Sequence, residues 1–170
     1  TCGGKCDGKC EGGVFCRDGC GCNTYDTGDN ICYAPDLNHQ DTRVRDLVKQ
    51  YLAFLKQVGY RGWRWDVAKG FSPQYFGEYN AASSPQFSVG EAFDGNLNVV
   101  LNWISGSGSP AFDFPLRYVL RDTIRSNSYA SLKFAGVVSS RPDYAVTFIV
   151  SLCSLFPIKP TSFFLFSFFS

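Results

Sequence analysis

The chain has 170 residues, 45% hydrophobic and 18% charged, material for one packed domain and no more. Its net charge of +1 and scattered basic residues leave no electrostatic footprint for nucleic acid. Seven of the eight Cys fall within the first 32 residues, a density that points to disulfides and an oxidising compartment. A structural metal knot is the weaker reading, because one His and irregular Cys gaps fit zinc-ligand spacing poorly.

Residues 1–33 are Gly- and Cys-rich with little apolar content beyond Val14, Phe15 and Ile31. They cannot build a core and read as a stapled loop region lying on something else. The chain opens at Thr1 without Met or a signal-like apolar segment, as a processed protein or a fragment would.

Residues 34–149 alternate between two periods. Val44, Leu47, Val48, Tyr51, Leu52 and Leu55 recur at helical spacing, with Asp41 as the N-cap and Gly59 just past the end. Beyond Gly59 the pattern shortens: "GWRWDV" reads as a strand, "SPQYFGEYNAA" as a helix, "FSVGEAF" as a strand and "NLNVVLNWI" as a helix. "AFDF" then reads as a strand, "LRYVLRDTI" as a helix and "YAVTFIV" as a strand. Strands alternating with helices at this interval predict βαβ units and a parallel sheet.

Residues 150–170 are rich in Phe, Ser and Leu, but Pro157, Lys159 and Pro160 interrupt them, and the stretch beyond Pro160 is too short to span a bilayer as a helix. The segment has no periodicity and no charge except Lys159. Val codons begin with GT, the usual intron start, and Phe, Ser and Leu codons are pyrimidine-rich. The segment is therefore expected to be translated intron or a mis-called exon that packs on nothing specific.

Asp66, Glu91 and Asp113 are 25 and 22 residues apart, each at or just past the end of a short apolar run. One strand–loop–helix unit of a (β/α)8 barrel takes about that length, and C-terminal strand ends converge on one face. Asp66 and Glu91 would then face one pocket. Two carboxyl groups about 5 Å apart are what a retaining glycosidase needs. Arg64, alternating with Asp66 on one strand face, could keep Asp66 ionised, and Trp63, Trp65 and Phe93 offer flat surfaces for sugar rings. A lone Asp at a strand end is more often a helix cap, and Asp113 is assigned that role.

The stretches "GWRWDVAKG" and "VGEAFDG" closely resemble the second and third sequence motifs of the α-amylase family, glycoside hydrolase family thirteen, in its plant and algal form. "DTGDNICYAPDLNHQDTRVRDLVKQYLAFLKQVGYRGWRWDVAKGF", "SPAFDFPLRYVL" and "RPDYAVTFI" extend the likeness over Asp26–Ile149. The resemblance implies a partial (β/α)8 TIM barrel, about strands four to seven, over 34–149, preceded by the Cys-rich end of an inserted B domain over 1–33. It implies Asp66 as nucleophile and Glu91 as general acid/base, with Arg64, Trp65, Lys69 and Phe93 about the substrate. It further implies Ca²⁺ held by Asp36 and the Gly70 carbonyl, with Asn30 where plant relatives carry an Asp; oxygen ligands suit that ion.

The family's third carboxylate should come directly after "AVTFI", where this chain reads Val150-Ser151-Leu152-Cys153, and its first motif and earlier strands do not precede Thr1. The expected protein is thus a fragment of a retaining α-amylase acting on internal α-1,4 bonds of starch-like glucans, inactive by itself. It would be secreted, or alternatively plastidial. Transglycosylases and debranching enzymes share both motifs, and a non-catalytic, disulfide-rich binding module centred on 1–33 is the rival of another class.

Overall fold

The structure is a computed structural model that describes residues 35–148 together with two short strands, Phe15–Arg17 and Ser167–Phe169. The Cys connectivity and Asn30 lie outside the described residues. The first strand, β1 (Phe15–Arg17), pairs antiparallel with β2 (Pro35–Leu37), setting Cys16 opposite Asp36.

Helix α1 (Thr42–Val58) begins where the Asp41 side chain accepts the Arg43 backbone N–H, and it stops at Gly59, whose φ of 117° only a residue without a Cβ adopts readily. Its inward face buries Val44, Leu52 and Leu55. Leu47 and Tyr51, counted as apolar-face positions in the sequence, are exposed instead, and Phe54 and Val58 continue their stripe.

The βα alternation begins after Gly59. It runs β3 (Gly62–Trp65), α2 (Pro73–Ser83), β4 (Phe87–Gly90), α3 (Leu97–Ser107), β5 (Ala111–Phe112) and α4 (Phe114–Ser126). A 3₁₀ turn (Ala130–Phe134), the short α5 (Gly136–Ser140) and a second 3₁₀ turn lead to β6 (Ala145–Val146). Strands β3, β4, β5 and β6 lie side by side, all parallel, in chain order. This is the predicted part of a (β/α) barrel.

The core lies between this sheet and helices α1 to α3. Trp63, Trp65, Phe76, Tyr79, Val100 and Ile104 are each at most 1% exposed there. Close packing depends on glycine at two points: a Cβ on Gly62 would meet the Phe87 carbonyl oxygen at 2.9 Å, and one on Gly90 would meet the Trp103 ring at 2.1 Å.

Asp113 is fully buried at the N-cap of α4, as expected. Its carboxylate accepts backbone N–H groups from Leu116 at 3.0 Å and Val138 at 2.9 Å, joining α4 to α5. Ser167–Phe169 corrects one expectation. These residues, β7, pair antiparallel with Gly62–Arg64 along the edge of β3 away from β4. Among the described residues no helix is long and apolar enough to cross a membrane.

Candidate active site

The alternation of β3 decides which side chains can meet. Trp63 and Trp65 point into the core, where their indole N–H groups donate to Ser83 Oγ at 2.8 Å and Ser88 Oγ at 2.9 Å. Arg64 points to the opposite face, its guanidinium 5.7 Å above the Phe112 ring on β5. A strand places residues two apart on one face, so Asp66, at the start of the turn that ends β3, comes to the side of Arg64.

Glu91 follows the last residue of β4. Its backbone N–H donates to the Trp65 carbonyl at 2.9 Å, continuing the ladder one step past the strand, and its carbonyl accepts the Ala68 N–H at 3.1 Å. The two carboxyl groups therefore arise at adjacent strand ends, as the 25-residue spacing predicts. Arg64 bridges them: Nη1 is bound to Asp66 Oδ1, and Nη2 lies 3.0 Å from Glu91 Oε1. Each of the three side chains is about a quarter exposed, so the cluster opens to solvent on one side.

Burial pushes the Glu91 carboxyl above its ordinary range. The hydrogen bond it shares with Asp66 acts in the same direction, and the Arg64 charge opposes both. A carboxyl raised in this way keeps its proton to a higher pH than an ordinary glutamate. The second Glu91 oxygen accepts the Val67 N–H at 3.3 Å. Val67 itself sits at φ 47°, a left-handed conformation unusual for a β-branched residue.

Of the other sequence-derived candidates, Phe93 is exposed and makes a T-shaped contact with Phe114, with ring centroids 4.6 Å apart. Lys69 is tied to Asp94 at 3.0 Å, beside the same turn. Trp65 is corrected: at 1% exposure, and bonded to Ser88, it is a core residue and presents no surface to a sugar. Gly70 closes the turn, its N–H donating to the Val67 carbonyl at 2.8 Å. Asp36 is described only as a backbone position on β2.

Two groups escape the sequence reading. Trp103, on α3, donates its indole N–H to the Ala68 carbonyl at 2.8 Å. His39, 2% exposed, stacks on Phe71 with ring centroids 3.9 Å apart, and its Nδ1 lies 2.5 Å from the Tyr79 hydroxyl. Burial, aided by the Arg45 charge and opposed by Glu78, lowers its pKa to about 4.

Four adjacent parallel strands of a barrel, alternating with helices and carrying a bridged carboxyl pair at neighbouring strand ends, are an arrangement of glycoside hydrolases. Comparison with known proteins narrows this. The chain is 33% identical to the probable α-amylase 2 of Arabidopsis thaliana over 162 residues, covering 83% of this chain and 37% of that protein. It is 33% identical to the chloroplastic α-amylase 3 of the same plant over 145 residues, covering 72% of this chain and 16% of that one. A solved α-amylase from Malbranchea cinnamomea superposes with a TM-score of 0.53 at 26% identity, over 58% of this chain and 21% of its own. No family model matches. The chain belongs to the α-amylase family, and it spans less than two fifths of the length of these curated relatives.

Proposed function

We propose that this chain carries the catalytic pair of a retaining α-amylase that cleaves internal α-1,4-glucosidic bonds of starch-like glucans. The observation that carries the reading is the pairing of Asp66 and Glu91 at adjacent strand ends, bridged by Arg64. Retention follows from the family resemblance, in which one carboxyl attacks C1 and the other exchanges the proton.

In the proposed mechanism Asp66 attacks C1 of the bound glucosyl unit, and the C1–O bond breaks as Glu91 gives its proton to the leaving oxygen. The resulting glycosyl ester is hydrolysed when Glu91, now ionised, takes a proton from water that attacks C1. The raised Glu91 supports the first step, and ionisation of Glu91 beside the Arg64 cation supports the second. Phe93 offers the apolar surface for a sugar ring. Because Val150–Cys153 stand where the third carboxylate of the family motif belongs, the isolated chain is not expected to turn over glucan.

Ca²⁺ is part of this proposal. The donors the resemblance assigns, the Asp36 carboxylate, the Asn30 amide and the Gly70 carbonyl, are all oxygens and suit a hard cation. Among the described residues no three His, Cys, Asp or Glu side chains converge, so the site would depend on Asn30 and Asp36, whose side chains lie outside them. The ion would tie the segment before α1 to the turn after β3 and take no part in proton transfer. A secreted location is proposed, with the plastid as the alternative that the chloroplastic relative favours. Transglycosylation by the same pair is the second enzymatic reading.

The test uses a chimera in which residues 35–148 replace the matching stretch of an α-amylase relative. Proton NMR of the first products from a maltooligosaccharide should show the α-anomer before mutarotation. Initial release of the β-anomer would overturn the retaining assignment.

A further inference from the structure

The turn from Asp66 to Lys69 is held from three directions, and only two of the holds come from the sheet. The Trp65 carbonyl accepts the Glu91 N–H, and the Ala68 N–H donates to the Glu91 carbonyl, so the backbone of Glu91 is clamped on either side of Asp66 and Val67. Between those clamps Val67 is forced to φ 47°, a conformation that costs a β-branched residue free energy and must be enforced by its surroundings. In that conformation its N–H faces Glu91 Oε2.

The third hold comes from α3. The Trp103 indole N–H is bonded to the Ala68 carbonyl in a buried contact, and the ring lies against Gly90, the residue before Glu91, at a distance no side chain there would tolerate. One indole thus touches both the turn that carries Asp66 and the strand end that carries Glu91. We propose that Trp103 is a positioning residue that sets the Asp66–Glu91 pair, acting through the Ala68 carbonyl and the bare backbone of Gly90.

This rests on the reading of Asp66 and Glu91 as the reacting pair, and deepens it. Removing the donor would free the Ala68 carbonyl, let Val67 relax from its left-handed conformation, and open the space between the two carboxyls to water. Glu91 would then lose the burial and the Asp66 contact that raise it.

The experiment tracks Glu91 in the full 170-residue chain. Three Glu are present, so selective carboxyl ¹³C labelling gives three resonances, and Glu91→Gln assigns the one of interest. Trp103→Phe keeps an aromatic ring and removes the N–H; benzothienylalanine in place of Trp103 keeps the ring shape as well and serves if Trp103→Phe fails to fold. Phe76→Leu is the control. It loosens packing against the Trp103 ring, which Phe76 meets edge-on at 5.4 Å, while leaving the N–H in place. The expected result is a fall in the Glu91 titration midpoint of about half a pH unit or more on loss of the donor, with Phe76→Leu unchanged. An unchanged midpoint without the donor, or an equal fall in Phe76→Leu, overturns the proposal. The titration needs no substrate, so its failure would leave the glycosidase reading standing, and failure of that reading would not move the titration.

Discussion

Asp66→Asn and Glu91→Gln, placed in a chimera that hydrolyses starch, are each expected to lower its rate on the order of a thousandfold or more while glucan binding persists. The two variants should fail differently. In the proposed mechanism Asp66→Asn removes the nucleophile, so no substrate should restore the rate. In the same mechanism Glu91→Gln removes the proton donor, so a substrate whose leaving group needs no proton should regain much of the first step, and a small anionic nucleophile should restore turnover of the intermediate. Near-normal starch turnover in either variant would contradict the roles assigned. Arg64 binds both carboxyls, so its loss would disturb charge and geometry together and cannot separate them.

The second large effect concerns acid stability and arises from His39. Its pKa falls from 6.5 to about 4 on folding, chiefly through burial among Phe71, Tyr75 and Tyr79. The folded state therefore favours the neutral ring. Its contribution to stability is complete above about pH 6.5, diminishes as the unfolded chain takes up a proton that the folded chain refuses, and is gone below about pH 4. The displacement corresponds to about 3 kcal/mol. Arg45, which donates to the His39 carbonyl at 2.8 Å and pairs with Glu78 at 3.3 Å, stands on the same side of the cluster. It resists a second positive charge, and Glu78 partly offsets it. Urea unfolding of the chain and of His39→Phe across this range should give stabilities that diverge at neutral pH and converge toward pH 4. Parallel profiles would show that His39 is not excluded from protonation.

Much of this architecture is legible in the sequence because local chemistry and tertiary structure agree. Asp41, the buried spacing of α1 and Gly59 mark a helix at both ends, and each performs that function. The 25 residues between Asp66 and Glu91 measure one βα unit, and the register of β3 with β4 places them at adjacent ends. Asp113 reads as a cap because a strand ending in "FDFP" hands over to a helix whose first turn contains Pro115, and its burial is explained by the two N–H groups it accepts.

The features that escape a sequence reading depend on contacts between distant elements. Period-two alternation sets Arg64 and Trp65 on opposite faces but does not say which face meets solvent, and a sugar-binding role puts Trp65 on the wrong one. The turns and short helix over Ala130–Tyr144 carry no sustained period, so nothing in the pattern announces them. Leu47 and Tyr51 read as core in a periodicity count, because the count does not know what lies beyond the helix. Trp103 is one more apolar residue on α3 by its spacing, and only its bond to Ala68, 35 positions earlier, marks it out. His39 is a lone His in the sequence, and its burial depends on three aromatic rings far along the chain.

The central claim is that Asp66 forms a covalent bond to the sugar while Glu91 handles the proton. It is tested most directly by exposing the starch-hydrolysing chimera to an activated, ring-fluorinated α-glucosyl fluoride, whose intermediate is slow to hydrolyse, and mapping the product by peptide mass spectrometry. The account predicts one glucosyl adduct, on the peptide containing Asp66, absent in Asp66→Asn and longer-lived in Glu91→Gln. An adduct on Glu91 or Asp113, or an Asp66→Asn variant that still labels, would contradict it.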